Sequence, residues 1–468
     1  MAKKSQKGRK GAPGKKKKAN GNSQSLPILH ADTAGVDIGA MEIYVAVPAD
    51  RDEHPVRCFG TFTDDLRKIA QWLKQCNIKR VAMESTGVYW IPLWQILSDE
   101  SFELCLVNAR HFKNVPGKKT DVQDCQWLQF LHSVGLLRGS HRPDEAICGL
   151  RTLLRYRGEL VKSAAMHLQH MHKSLEEMNI KLGHVLSELQ GVTGLVIVDA
   201  LLAGERDLKK LAQLRDGRVR ASEETIMKSL EGDYRVQHLI TLQFARNLYQ
   251  HYQTLIELLD REMEAFMSQL PDRVDLKDYP LPASQKKTQP KRQHNAPAYD
   301  LRTQCYRVLG VDLTAIDGID AVTAHVVLTE VGADLSEFPT AAHFCSWLRL
   351  CPNNEMSGGR TLSKKTKKGK NRLALALRHG ASTLHASQTP LGQYLRRMKA
   401  RFGPARAITV TAHKIARIIY HMITLKEAFK PEMLDAQDAR QKRKHEAIVR
   451  KHAMSLGFQL IPLVQPSA

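Results

Sequence analysis

Apolar residues recur at alternating intervals of three and four from Ile147 to Leu189, and a second run with the same spacing extends from Leu242 to Leu270. This spacing is typical of the contact face of long paired helices, as in coiled coils. We therefore predict a long coiled-coil helical arm over residues 145–270, with a smaller helical piece between its two long helices.

Two arrangements of this arm would bury its apolar faces. The helices can form a bundle within one chain, or the arm can associate with a second copy, since so long an apolar face needs a partner. The first run is broken only at Arg157. His167, His170 and His172 lie on the first helix without cysteine or acid companions at ligand spacing, so we interpret them as exposed coiled-coil residues or as residues that face RNA, and not as a metal site.

Short apolar strands precede the arm. The segments TAGVDIG, EIYVAV and VRCFGTF, between Thr33 and Phe62, are separated by turn-like residues and predict a three-stranded meander. Helices and strands then alternate as far as a helix that starts near Thr120. The order βββαβαβα is that of the ribonuclease H-like fold, which we predict for residues 31–144.

The remaining segments differ in composition. Residues 271–300 are rich in proline and lack periodicity, as expected of a linker. Residues 301–431 are predicted to form a last, mainly helical domain, and residues 432–468 a charged extension. Residues 1–30 form a basic tail, rich in Gly, Ser and Asn, that cannot bury enough apolar surface to fold alone and is predicted to be disordered. The predicted fold class is therefore α/β plus all-α.

The charge of the chain indicates a polyanionic partner. Lysine and arginine number 70 against 48 acids, for a net charge of +22, and +13 remains after the nine bases of the tail are set aside. No apolar run approaches the roughly 18 residues of a membrane span, and the basic N-terminus is not followed by an apolar signal core. The eight cysteines contain no C-x-x-C pair, which favours free thiols in a reducing cytoplasm.

Four carboxylates of the first domain are candidate metal ligands. Asp37 lies in the middle of an apolar strand, where a carboxylate is costly to desolvate without compensation, and Glu84 closes another strand. Asp121 and Asp124 are three apart on a helix and share one face. Clustered carboxylates suit Mg²⁺, which also coordinates substrate phosphates. The alternative is that Glu84 and the aspartate pair are N-cap, surface or ion-pair residues, with Lys118 and Lys119 as partners.

A serine followed by bases is the second candidate site. Ser357 precedes Gly358 and Gly359, whose backbone could approach a phosphate closely, and no obvious base lies next to it. It is either a nucleophile or a phosphate contact in a basic loop. The predicted nucleic-acid contacts are Lys118, Lys119, Arg360, Lys364, Lys365, Lys367, Lys368, Lys370 and Arg372.

The chain resembles a known family from about Thr33 to Ile423. The resemblance is carried by GVDIG, MESTGVYW, VNARHFKNVPGKKTDVQDC, DLTAIDGIDAVTAHVVLTEVGADLSEF and LRLCPNNEMSGGRTLSKKTKKGKNRLALAL, in that order. These motifs are similar to those of the DEDD transposases of bacterial insertion sequences of the IS110 type, which are related to Piv-like DNA invertases.

This resemblance implies roles for the candidate residues. Asp37, Glu84, Asp121 and Asp124 match the four acids of the RuvC-like domain, with Mg²⁺ as cofactor, and Ser357 matches the serine of the C-terminal transposase domain. The family implies recombination through a phosphoserine bond to DNA, guided by a noncoding bridge RNA that pairs with donor and target DNA. It also implies dimers that pair into a tetrameric synapse in a bacterial cytoplasm.

Three other functions compete with this one, and the first is a site-specific DNA invertase, which would share the recombination chemistry. A hydrolytic RuvC-like nuclease or junction resolvase would use the acids for chemistry and Ser357 only for phosphate contact, and a nucleic-acid chaperone would need neither.

The sequence also departs from the family pattern at Cys125, where alanine is usual, and this substitution exchanges one small residue for another.

Overall fold

The computed structural model describes residues 26–108, 120–284, 295–367, 369–430, 447–450 and 452–458. Nearly all of the predicted basic tail, most of the predicted C-terminal extension, and Lys118, Lys119 and Lys368 lie outside these ranges. The chain divides into two compact units, residues 1–141 and 142–468. None of the helices within the described ranges combines the length and apolar composition that a membrane crossing requires.

The first unit alternates strands and helices in the predicted order. Its elements are β1 (Thr33–Ile38), β2 (Ile43–Ala46), β3 (Val56–Phe59), α1 (Thr63–Gln75), β4 (Arg80–Glu84), α2 (Trp90–Asp99), β5 (Glu103–Val107) and α3 (Asp121–Ser133). The five strands form one sheet in the order β3-β2-β1-β4-β5. Strands β1, β2 and β3 pair antiparallel as the predicted meander, whereas β1, β4 and β5 pair parallel.

Helices cover both faces of this sheet. Val36 and Met83 face a core that also contains Ile69, Leu73 and Leu97 from α1 and α2. The opposite face is covered by α3, where Leu128 packs against Ala82 and Val107. Because neighbouring residues of a strand point to opposite faces, every second residue of β1 and β4 is turned toward α3.

The second unit begins with two long helices, α4 (Glu145–Glu177) and α9 (Val236–Ser268). Four short helices lie between them in sequence: α5 (Leu182–Val185), α6 (Val192–Leu202), α7 (Leu208–Gln213) and α8 (Glu223–Leu230). Contacts of Arg157 with Asp260 and of Ser174 with Thr241 show that α4 and α9 are antiparallel. Apolar residues of the two predicted runs, such as Met171 and Leu242, are buried within this chain.

Two details of the predicted arm are wrong. The first run does not continue as one helix to Leu189, because the chain turns after α4 at Asn179, which adopts a positive φ of 58°. His167 is not exposed: it is buried and its ring stacks on Tyr252 at 5.4 Å between centroids. The run kept its spacing beyond the turn because Leu182 and Leu189 enter the same core from α5 and the segment after it.

The rest of the second unit is mainly helical, so the prediction of a mixed α/β region followed by a mainly helical part is confirmed. Its elements are α10 (Leu301–Leu309), α11 (Ala321–Val331), α12 (Ala341–Trp347), β6 (Glu355–Ser357), β7 (Arg360–Ser363), α13 (Arg372–Thr383), α14 (Pro390–Phe402) and α15 (Pro404–Leu425), with short 3-10 turns at Leu313–Ala315 and Leu384–Ala386. Ile147, Leu150 and Met267 of the long helices belong to the same core as these C-terminal helices.

Candidate active site

Asp37 and Glu84 occupy matching positions on neighbouring parallel strands. Val36 of β1 is in register with Met83 of β4, so the next residues along the two strands are Asp37 and Glu84. Val36 and Met83 face the core under α1 and α2, and Asp37 and Glu84 therefore face the side covered by α3. Glu84 is only 3% exposed, and Asp37 is half-buried.

The two aspartates of α3 are set by the start of that helix. Thr120 caps α3 by accepting a hydrogen bond from the Gln123 backbone N–H at 3.3 Å, which places Asp121 and Asp124 in the first turn. Carboxylates are favoured there because the unpaired N–H groups carry partial positive charge. Asp121 is exposed and Asp124 is half-buried.

Gly35 allows α3 to lie directly against β1. A Cβ atom at this position would be 2.2 Å from the Cys125 carbonyl oxygen and 2.3 Å from the Gln129 backbone nitrogen. Both neighbours are backbone atoms, so a side chain at Gly35 would push the helix away from the sheet. The close approach brings the first turn of α3 toward Asp37. Gly35 was not among the predicted site residues, although it precedes Asp37 by two and so shares its face of the strand.

These elements form one cavity of about 350 Å³. All four predicted acids line it: Asp37, Glu84, Asp121 and Asp124. The donor set is therefore of the kind that a hard dication such as Mg²⁺ takes. Within the described ranges, however, no group of three or more acid, histidine or cysteine side chains is already arranged as a metal site. Binding of an ion would require side-chain rotation at the cavity.

Two further residues of this cavity were missed by the sequence analysis. Glu42 and Tyr44 also line it, and the Tyr44 hydroxyl donates a hydrogen bond to the Glu42 carboxylate at 3.0 Å. Hydrogen bonding with Cys58 and Glu42 raises the pKa of Tyr44 to about 12. Tyr44 is in register with Asp37, and this pairing follows from the predicted meander, which could have indicated its position.

Cys125 lies behind the acids. Its side chain is fully buried and its thiol donates to the Val122 carbonyl at 3.1 Å. Burial, with smaller contributions from the carboxylates of Asp37 and Asp124, raises the pKa of the Cys125 thiol to about 12. The thiol is therefore neutral near pH 7 and packs as a small buried side chain of α3.

Ser357 lies at the turn of a β-hairpin in the second unit. It pairs with Arg360, and Gly358 and Gly359 form the two-residue connection with φ values of 54° and 75°. Positive φ at both central residues is the type I′ geometry that fits the twist of a hairpin, and glycine adopts it without strain. A Cβ at either glycine would meet nothing within 4 Å. These glycines are therefore needed for the turn itself.

The hairpin is exposed and basic. Ser357 is exposed, and so are the described members of the predicted contact set: Arg360, Lys364, Lys365, Lys367, Lys370 and Arg372. The pairing extends to an isolated bridge between Pro352 and Thr366. The structure thus brings the four acids together in the first unit and presents the serine on a basic hairpin of the second.

Comparisons with known proteins cover the two segments that contain these sites. Residues 34–180 match the DEDD transposase model of the IS110 type, and residues 312–395 match the model described as the transposase IS116/IS110/IS902 family. The chain is also 30% identical over 125 residues to a probable family 20 transposase of Pseudomonas aeruginosa. That alignment spans 25% of this chain and 36% of the relative. The four acids lie inside the first match and Ser357 inside the second, so both candidate sites fall in segments that are similar to transposases of the IS110 family.

Proposed function

We propose that this protein is the DNA transposase of an insertion sequence, which cuts and rejoins DNA through a phosphoserine intermediate. The observation that carries the proposal is the convergence of Asp37, Glu84, Asp121 and Asp124 on one cavity. Carboxylates on this face of a sheet with strand order β3-β2-β1-β4-β5 support a RuvC-like, ribonuclease H-like domain. When bound there, Mg²⁺ would neutralise charge and polarise the scissile phosphate.

The serine hairpin is suited to a covalent step. The Ser357 hydroxyl oxygen attacks the phosphorus, a phosphoserine ester forms, and a deoxyribose hydroxyl leaves with the proton that the serine gives up. A hydroxyl of another strand then attacks the ester, which restores both the serine and a phosphodiester bond. The number of phosphate ester bonds is unchanged, so the exchange needs no energy-rich cofactor. Exposure of Ser357 on a hairpin supports this role, because a nucleophile must reach a bulky duplex.

The bases around Ser357 would hold the DNA. Arg360, Lys364, Lys365, Lys367, Lys370 and Arg372 are all exposed and no acid interrupts them from residue 358 to residue 372. Each phosphate contact made by such a base releases counterions, so binding weakens as salt is added. Donor and target DNA are the proposed substrates of this surface.

A noncoding bridge RNA and a homo-oligomeric synapse complete the proposal. The net charge of +13 outside the N-terminal tail exceeds what the serine hairpin alone carries, which leaves basic surface for a second polyanion. Because the acids and the serine are on separate units of the chain, an active site can combine the cavity of one protomer with the hairpin of another. Dimers that pair into a tetramer would supply such combinations.

Strand exchange tests the function. Purified protein is incubated with Mg²⁺, the noncoding RNA that flanks the coding region, and DNA spanning the element junction, and joined products are counted by sequencing. We expect Asp37→Asn to reduce joined products at least a hundredfold, whereas Asp50→Asn, which alters an exposed acid of the same unit, leaves them unchanged. Cut ends without joined products would favour a hydrolytic nuclease, and equal activity of both variants would exclude a role for the cavity.

A further inference from the structure

The hairpin that carries Ser357 also exposes two large apolar side chains. Met356 is 64% exposed and Leu362 is 70% exposed. Scattered exposed apolar residues are normal on a protein surface, but here two of them lie on a ribbon of two short strands. Both lie within five residues of Ser357, the proposed nucleophile. A molecule that reaches Ser357 can therefore also contact these two side chains.

The register of the hairpin separates Met356 from Ser357. Met356 is paired with Thr361 and Ser357 with Arg360, and adjacent residues of a strand point to opposite faces. One face of the ribbon therefore carries the hydroxyl, and the other carries the Met356 side chain. The register then shifts between Glu355 and Met356, so that Glu355 pairs with Ser363 and Leu362 has no opposite residue in the ladder. Such a bulge redirects the side chain of the extra residue.

The dimensions of the ribbon suit a DNA groove. Its stem is fixed by the hydrogen bond from the Asn353 N–H to the Lys365 carbonyl at 2.8 Å and by the bridge from Pro352 to Thr366. From that bridge to the turn the strands extend about 20 Å at the rise of an extended chain. The major groove of B-DNA, about 12 Å wide, admits a two-stranded ribbon.

The positive charge of the hairpin indicates which kind of partner Met356 and Leu362 contact. The exposed bases Arg360, Lys364, Lys365 and Lys367 lie in the same hairpin segment as Met356 and Leu362, and Glu355 is the single acid between Pro352 and Lys367. A polyanion whose interior is apolar, namely DNA with its stacked bases, satisfies both properties. Methionine and leucine are among the apolar side chains that minor-groove proteins insert between base steps, and β-ribbons bind in the minor groove as well as in the major groove.

We propose that Met356 and Leu362 insert against the bases next to the phosphate that Ser357 attacks, and unstack that step of the DNA. This inference rests on the proposed function. Exchange of strands requires the cut strand to leave its complement, and a local loss of stacking beside the nucleophile lowers the cost of that separation. The bases of the hairpin hold the backbone while its apolar side chains hold the step open.

The test places 2-aminopurine, whose fluorescence rises when it unstacks, at the base step beside the element junction. All proteins are full-length and carry Ser357→Ala, so that the signal reports binding without cleavage. We expect binding to raise the fluorescence severalfold, and Met356→Ala with Leu362→Ala to abolish most of that rise. The affinity of the double variant for junction DNA should differ from that of its parent by less than about threefold. The dependence of this affinity on salt should be unchanged, because the phosphate contacts remain.

Two further variants make the result specific. Met356→Leu, tested instead of the double variant, keeps an apolar side chain of similar size. It should retain the fluorescence rise. Leu375→Ala removes an exposed apolar residue of α13 in the same unit and should have no effect. A full fluorescence rise in the double variant would overturn the inference while leaving the proposed function intact.

Other outcomes are equally decisive. If the double variant instead changes the oligomeric state or weakens RNA binding, with unstacking retained, the apolar pair contacts protein or RNA and the inference fails. If the parent protein binds no junction DNA, the proposed function fails and the inference fails with it.

Discussion

Arg157 forms a two-point ion pair with Asp260 in the interior of the second unit. Its Nε lies 2.5 Å from Oδ1 and its Nη2 lies 3.0 Å from Oδ2, and the two side chains are 8% and 4% exposed. The same pair fixes the segment before α10, since Arg157 donates to the Asn295 carbonyl and the Ala298 N–H donates to Asp260. The single break in the first apolar run is thus a cross-link between α4 and α9.

Removal of one partner of this pair should be strongly destabilising. Arg157→Ala leaves Asp260 buried without its cation, and we expect the free energy of unfolding to fall by about 3–5 kcal/mol in urea titrations. Lys162→Ala on the same helix breaks only an exposed pair with Glu159 and should cost less than about 1 kcal/mol. Equal effects of the two substitutions would contradict the interior role of Arg157.

The approach of α3 to β1 predicts the effect of a substitution at Gly35. Gly35→Ala adds a methyl group that cannot coexist with the Cys125 carbonyl oxygen or the Gln129 nitrogen. The helix must shift, and Asp121 and Asp124 shift with it, so strand exchange should fall by at least a hundredfold. Crystallography or amide hydrogen exchange of α3 would show the displacement.

Gly158→Ala is the matched control for this experiment. A Cβ at Gly158 meets nothing within 4 Å, and alanine in a helix is favoured over glycine by up to about 1 kcal/mol. This variant should therefore be active and at least as stable as the wild type. Full activity of Gly35→Ala would show that the position of α3 does not control the cavity.

His325 predicts how the stability of the second unit depends on pH. Its side chain is fully buried, and neither ring nitrogen has a hydrogen-bond partner among the described residues. Burial, with a smaller contribution from the positive charge of Arg157, lowers the pKa of His325 to about 3. The unfolded chain takes up a proton below about pH 6.5 that the folded chain does not.

The free energy of unfolding should therefore fall as the pH decreases from about 6.5 toward 3, by up to about 1.4 kcal/mol per pH unit. In His325→Leu this part of the slope should be absent, whereas above about pH 7 the slopes of the two proteins should coincide. Urea titrations at several pH values measure both. Identical slopes at pH 5 would mean that His325 is protonated in the folded state.

The turn of the serine hairpin predicts an asymmetric response to substitution. Gly358→Val places a β-branched residue at a φ of 54°, which should distort the turn and reduce strand exchange at least tenfold. Gly359→Asn should be tolerated within about threefold, because asparagine accepts positive φ readily. The melting temperature should be unchanged in both, since the hairpin lies outside the apolar cores. A large loss of melting temperature in Gly358→Val would contradict this assignment.

Much of the first unit could be predicted from its sequence because its signals are local. Asp37 stands out as a carboxylate in an apolar strand, and alternation of strands and helices fixes the order of elements. The contributions of Gly35, Glu42 and Tyr44 could not be found this way. They depend on how closely α3 approaches the sheet and on which β2 residue faces Asp37, and both are tertiary relationships.

The second unit shows where periodicity misleads. Leu182 and Leu189 keep the spacing of α4 because they pack into the same core, yet the helix ends at Glu177. Likewise His167 was predicted to be exposed because histidine is polar, although its ring is buried against Tyr252. The Gly358–Gly359 pair, by contrast, is a recognised hairpin signal, and attention to turn chemistry would have predicted β6 and β7 where we expected a loop.

The covalent intermediate is the central claim, and trapping it is the most direct test. Protein, Mg²⁺, flanking noncoding RNA and end-labelled junction DNA are mixed, and the products are resolved on a denaturing gel. We predict a protein–DNA adduct in the wild type and in Ser363→Ala, a serine of the same hairpin, and none in Ser357→Ala. Cleaved DNA with free ends, no adduct, and full activity in Ser357→Ala would contradict the account and assign cutting to hydrolysis at the carboxylate cavity.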